Sequence, residues 1–177
     1  MFRKLLNSEL GRLSAEQYKD ADKAPLVLVL DNVRSQHNIG SAFRTCDAFR
    51  IGKIYLCGIS STPPTPEIHK AALGAEFSVD WEHVDTALEA VVRLRAEGYT
   101  IASVEQAEGA TQLQDFRPAP DARYALVFGN EVHGVAQEVV DASDLCLEIP
   151  QYGTKHSLNV SVSIGIVLWN IILNNLR

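Results

Sequence analysis

The sequence predicts an α/β domain with a mostly parallel sheet flanked by helices. Three observations carry that expectation. Short continuous apolar runs, such as residues 26–30 and Tyr124–Phe128, have the composition of strands buried on both faces. Stretches with helical spacing alternate with them, as in strand–helix–strand units. Polar segments follow the strands at Asp31, Glu105, Gly129 and Pro150, the ends at which such sheets bind ligands.

Residues 1–24 read as an N-terminal helical extension preceding a domain over residues 25–177. Phe2, Leu5, Leu6, Leu10 and Leu13 are spaced as in one or two short amphipathic helices broken near Gly11. Such a helix is expected to pack over the domain; the alternative is a nucleic-acid contact through Arg3, Lys4 and Arg12. After Pro25 comes the strand at 26–30, then a helix from about Asn38 through 39–49 and a strand at 53–57. Residues 60–66, with three prolines, form a loop. A short helix at 67–72 stops before Gly74, and a weak strand lies near 79–81. The helix at 86–97 has an apolar stripe of Ala87, Leu88, Val91, Val92 and Leu94, and Gly98 ends it. Thr100–Val104 is the next strand, followed by a polar loop up to Pro120. Strand Tyr124–Phe128, a short helix at 135–142 and a strand at 145–149 come next. Ser157 then stands where an N-cap would, ahead of a final helix running to Leu176.

At 177 residues, 46% hydrophobic and 21% charged, the composition is that of a soluble globular domain. Cys46, Cys57 and Cys146 show neither metal-type pairing nor a disulfide framework. Without a secretory signal, a cytoplasmic location is expected. The apolar stretch 158–173 is interrupted by Asn159, Ser161, Ser163 and Asn170. It falls short of the roughly 18 continuous apolar residues of a membrane span, so a buried helix is expected. The net charge of −6 argues against a broad nucleic-acid surface. The charge is uneven, however: residues 1–53 hold 9 basic and 6 acidic side chains, and residues 54–177 hold 7 and 16. That places local positive charge on the N-terminal part.

Common enzyme signatures are missing. There is no G-x-x-x-x-G-K-[ST] phosphate loop, no G-x-G-x-x-G dinucleotide fingerprint and no G-x-S-x-G elbow. The five histidines never fall at H-x-x-x-H spacing, so no metal is expected. Three polar clusters remain, each after an apolar strand. In Asn38-Ile39-Gly40-Ser41-Ala42-Phe43-Arg44-Thr45, Gly40 and Ser41 permit close backbone approach. Arg44 there either pairs with Asp47 on the helix surface or offers its planar fork to a phosphate. The second cluster is Phe128-Gly129-Asn130-Glu131-Val132-His133-Gly134. The third is Ile149-Pro150 followed by Ser157-Leu158-Asn159-Val160-Ser161-Val162.

In type, order and position after strands, these clusters resemble the three motifs of the SpoU/TrmH family of RNA ribose 2′-O-methyltransferases, within the SPOUT superfamily. The resemblance runs from about Leu26 to Leu176. It implies that residues 25–177 form a SPOUT methyltransferase domain whose C-terminal segment threads a deep trefoil knot, where ordinary topology rules predict an unknotted doubly wound sheet. It implies S-adenosylmethionine as methyl donor, held by backbone at Gly129, Ile149 and Leu158, with Ser103 and Glu105 lining the same pocket. Arg44 would be central to methyl transfer onto a ribose 2′-hydroxyl of tRNA or rRNA, and Asn38, Glu131, Ser157 and Asn159 would support the site. Glu131 could orient Arg44 or a ribose hydroxyl. The resemblance also implies a homodimer in which the arginine motif of one subunit meets the cofactor pocket of the other. Ser157, Ser161 and Gly165, at four-residue spacing, offer a small-residue face for that contact or for packing within one subunit. The alternatives are an idle RNA-binding or cofactor-sensing protein of the same fold and, against the absent fingerprint, a Rossmann-type oxidoreductase.

Overall fold

The computed structural model describes residues 1–175; the expected end of the last helix, Leu176, lies outside them. Strands β1 (Ala24–Asp31), β2 (Ile51–Cys57), β3 (Asp80–Val84), β4 (Thr100–Val104), β5 (Thr111–Gln112), β6 (Tyr124–Phe128) and β7 (Leu145–Glu148) form one sheet in the order β3-β2-β1-β6-β4-β7-β5. Every pairing between these strands is parallel. The helices are α1 (Ala15–Asp20), α2 (Gln36–Ala48), α3 (Pro66–Ala72), α4 (Ala87–Ala96), α5 (Gln137–Asp141) and α6 (Val160–Asn175).

The two-sided burial expected of a parallel sheet is visible along β1. Leu26, Leu28 and Leu30 enter one core with Ile39 and Phe43 of α2, Ile68 of α3, and Ile164, Val167, Leu168 and Ile171 of α6. Val27 and Val29 point the other way, against Val91 and Leu94 of α4 and Val139 of α5. Side chains alternate across a strand, so a continuous apolar run supplies both cores. Among the described residues no helix is long and apolar enough to cross a membrane.

Four expectations need correction. The last helix starts at Val160 and is capped by Asn159, whose Oδ1 accepts from the Ser161 backbone N–H at 2.9 Å and from the Ser161 hydroxyl at 2.6 Å. Ser157 lies in the preceding loop, two residues too early to cap. Helix α2 starts at Gln36, with Ser35 as its cap and Asn38 in its first turn. The segment to Pro120 contains the two-residue strand β5, which exists because it finds the free edge of β7. Finally, the apolar residues of the extension do not pack over the domain. Phe2, Leu5, Leu6, Leu10 and Leu13 are exposed, residues 7–9 make only a short 3-10 turn, and the extension is anchored by Tyr18, buried in the first core. The Tyr18 hydroxyl donates to the Ile51 carbonyl at 3.1 Å.

Candidate active site

Register decides where the site lies. Leu30 of β1 pairs with Phe128 of β6, Phe128 with Val104 of β4, and Val104 with Leu147 of β7. Four parallel strands therefore end level, and the loops after them leave the sheet side by side. The third motif's loop closes over them. Between these loops is a cavity of about 470 Å³, in the size range of small-molecule sites. Gly129, Glu131, Ile149, Ser157, Leu158, Asn159 and Glu105 line it, as do Gln106, Asn130, His133 and Gln151.

The 129–134 loop is a tight turn held from three directions. Asn130 and Gly134 exchange backbone hydrogen bonds of 3.1 Å, and the Asn130 Oδ1 accepts from the Val132 and His133 N–H groups. A Cβ on Gly129 would come within 1.8 Å of the Gly134 carbonyl carbon, so only glycine allows the two arms to meet. At Gly134, with φ +68°, a Cβ would lie 2.0 Å from the Glu105 Oε2. That oxygen accepts from Val135 N–H at 3.0 Å, and the buried Asp31 accepts from Ala136 N–H at 2.9 Å. Two carboxylates thus grip adjacent amides. Glu105 Oε1 also accepts from Gln106 N–H, and the Gln106 side chain donates to the His156 carbonyl. The loop after β4 therefore ties the second motif to the third.

The three motifs meet through side chains at one edge of the cavity. Asn159 Nδ2 donates to Asn38 Oδ1 at 3.1 Å, and Asn38 Nδ2 donates to Glu131 Oε1 at 2.8 Å. Glu131 also accepts from the Arg34 and Ser35 N–H groups, at 3.4 and 3.3 Å, at the start of α2. Partial desolvation raises the Glu131 carboxyl. Its own backbone N–H, the Asn38 amide and the Arg34 and Ser35 N–H groups outweigh this and hold it below the usual carboxylate range. A helix N-terminus is a favourable place for that charge.

Arg44 is exposed on α2, does not line the cavity, and makes no ion pair among the described residues, so the expected alternative of a pair with Asp47 does not form. Within one chain, Glu131 thus meets Asn38 and the two backbone amides that precede α2. Ser103 is fully buried and its hydroxyl bonds that of Ser143 at 2.7 Å, away from the cavity lining. Sequence reasoning missed the linking role of Gln106, whose one signal was its place in the loop after a buried strand. Gln151 was signalled only by its place in the polar segment after Pro150.

The sequence profile of the SpoU rRNA Methylase family matches residues 25–169, which include all three motifs. The chain belongs to the SpoU rRNA Methylase family. Among relatives, it is 31% identical over 166 residues to the tRNA (guanosine(18)-2′-O)-methyltransferase of Aquifex aeolicus, covering 93% of this chain and 76% of that one. It is 31% identical over 156 residues to a TrmH family protein of Staphylococcus haemolyticus, covering 88% of this chain and only 61% of that relative's length. An AdoMet-bound rRNA methyltransferase from Sinorhizobium meliloti superposes with a TM-score of 0.77 at 28% identity, over 86% of this chain and 58% of that one. In this SpoU family chain, the parallel sheet flanked by helices is the fold of the solved relatives.

Proposed function

We propose that the chain is an S-adenosylmethionine-dependent methyltransferase acting on a ribose 2′-hydroxyl of tRNA or rRNA. The observation that carries the reading is the hydrogen-bonded run Asn159–Asn38–Glu131, which joins one residue from each family motif beside a cavity of cofactor size. The names borne by the Aquifex and Sinorhizobium relatives support the 2′-hydroxyl and the methyl donor respectively.

The cavity suits that cofactor in its chemistry. Gly129, Ile149 and Leu158 offer backbone groups and apolar surface to an adenine and ribose, while Glu105, Gln106 and Gln151 add polar groups. When bound, S-adenosylmethionine supplies an electrophilic methyl group. The residues of the chain provide the rest. Arg44, with its planar fork of N–H donors, holds an RNA phosphate, and that phosphate or a water takes the proton of the ribose hydroxyl. Asn38 and Asn159 fix the nucleotide's approach, Glu131 holds Asn38, and Ser157, exposed at the cavity, donates or accepts at the ribose. Positioning of this kind is a large part of what such a reaction needs.

The same reading includes a homodimer, a C-terminal trefoil knot and a cytoplasmic enzyme with residues 25–177 as its methyltransferase domain. Val162, Ile166, Trp169 and Leu173 form an exposed apolar stripe on α6, and a Cβ at Gly165 beside it would touch nothing within 4 Å. Such a stripe is suited to a second copy, and it disfavours the alternative of Gly165 packing inside one subunit. The absence of Arg44 from its own cavity lining fits a site completed across the dimer.

Titration with S-adenosylmethionine, followed by transfer of a labelled methyl group to bulk tRNA and rRNA, tests the reading. Saturable binding with label at a 2′-O-methyl nucleotide is expected. Cofactor binding without transfer to either RNA would favour the idle protein.

A further inference from the structure

The wall of the active-site cavity is one-sided in charge. Its titratable side chains are Glu105, Glu131, His133 and His156, and it contains neither lysine nor arginine. Both carboxylates are fixed there by neutral donors. Glu105 accepts from the Gln106 N–H at 2.8 Å and from the Val135 N–H at 3.0 Å, one on each oxygen. Glu131 accepts from the Asn38 side chain and from the Arg34 and Ser35 N–H groups. Partial desolvation raises its carboxyl, but its own N–H and these donors hold it below the usual carboxylate range, so it is charged near neutrality. Neutral amides orient such a charge without cancelling it. Arg34, whose N–H meets Glu131, and Lys155, beside His156, have exposed side chains outside the lining, where water screens them.

We infer that the cavity selects its adenosine ligand by charge: Glu105 and Glu131 favour the cationic methyl donor over its neutral demethylated product and over adenine nucleotides that carry phosphate. The inference rests on the methyltransferase reading above. S-adenosylmethionine bears a sulfonium, an ammonium and a carboxylate, and so one net positive charge. Transfer moves the methyl group to the ribose oxygen, leaves the S–C bonding pair on sulfur and sends the hydroxyl proton to phosphate or water. The product, S-adenosylhomocysteine, therefore has no net charge.

Both carboxylates stand in the wall of one cavity of about 470 Å³, so a ligand filling it comes within roughly a Debye length, ~10 Å, of each. A unit charge at about 8 Å from a carboxylate changes binding by roughly three- to thirtyfold, depending on how far water is excluded. Contacts to the adenosine are common to donor and product. The change of charge is what lets the spent product leave while fresh donor enters. The same wall repels phosphate, in keeping with a chain that has no G-x-x-x-x-G-K-[ST] loop to hold it.

The test is isothermal titration of the intact protein near pH 7 and at low salt. Its ligands share adenosine and differ in charge: S-adenosylmethionine, sinefungin (an ammonium in place of the sulfonium), S-adenosylhomocysteine, adenosine and adenosine 5′-monophosphate. The two cationic ligands are expected to bind roughly tenfold tighter than S-adenosylhomocysteine, and the monophosphate more weakly than adenosine. Both gaps should shrink severalfold in about 0.5 M salt. In Glu131→Gln the ratio of donor to product affinity should fall severalfold, whereas Glu131→Asp, which keeps the charge, should preserve it. A cavity that is merely loosened weakens donor and product alike and leaves that ratio unmoved. Product bound as tightly as donor, or a ratio indifferent to salt and to Glu131→Gln, would overturn the charge selection. So would sinefungin binding like the product, which would assign the preference to the methyl group. Such a result with methyl transfer to RNA intact rejects the charge selection alone; no binding of any of the five ligands rejects the cofactor reading with it.

Discussion

Asn159 does two jobs that a substitution can separate. Its Oδ1 caps α6 and its Nδ2 reaches Asn38. Asn159→Ala should lose both, costing about 1 kcal/mol of stability for the cap together with methyl transfer. Asn159→Ser keeps a capping oxygen but cannot span to Asn38, so it should melt close to the parent while remaining poorly active; denaturation and single-turnover assays read the two effects. Arg44→Ala should lower transfer roughly a hundredfold or more, the order for removing a charge-stabilising donor, with cofactor binding retained, and Arg44→Lys should recover little of it because a point charge does not replace a planar fork. Loss of cofactor affinity in both Arg44 variants would refute that role. Glu131 provides a pH test. Its folded carboxyl sits below its ordinary value, so its contribution is complete above the usual carboxylate range and is lost as pH falls through the lower folded value. Urea denaturation should therefore show Glu131→Gln less stable than the parent near neutrality, with the gap closing in acid. These residues were legible because motif spacing marks them. Their partners were not: the sequence left Glu131 open between Arg44 and a ribose hydroxyl, and folding within one chain delivers it to Asn38 and two backbone amides.

Elements were most legible where burial is complete. Strand Tyr124–Phe128 ends where its apolar run ends, because two-sided burial leaves no polar residue to blur the boundary. Strand β5 carried no such signal. Thr111 is exposed, Gln112 half-buried and both are polar, and they become a strand only because β7 has an edge to offer. Ser103 misled for a related reason: its place near the carboxyl end of a strand suggests the site, but within β4 it faces away from its cavity-lining neighbour Val104, onto Ser143. Glu105, beyond the end of β4 and so free of its alternation, lines the cavity and holds the second motif's loop. Glu105→Ala would leave the Val135 N–H without its partner, at about 1–3 kcal/mol, and cofactor affinity should fall about tenfold or more while the sheet stays folded. Gly129→Ala should be harsher, since the added carbon meets backbone that cannot yield; isothermal titration against S-adenosylmethionine and thermal melting would rank the pair.

At the scale of the whole molecule, the sheet's class and the clustering of the motifs at its carboxyl edge could be read from alternation and spacing, but which strands lie side by side could not. The order places β6 between β1 and β4, and this long-range choice has no local signature. The exposed stripe on α6 was hidden for a similar reason, since an apolar helix looks alike whether its second face meets core or partner. Trp169→Glu on that stripe should convert a dimer to monomers in sedimentation and abolish transfer while leaving the fold intact; an active monomer would defeat the shared site. The bridge from Asn159 to Asn38 also bears on how the protein is made. Synthesis runs from N- to C-terminus, so Asn38 and Glu131, which bond each other directly, both leave the ribosome before Asn159, the last member of the run. A nascent chain can therefore lay down most of its sheet while the run beside the cavity still lacks its last member.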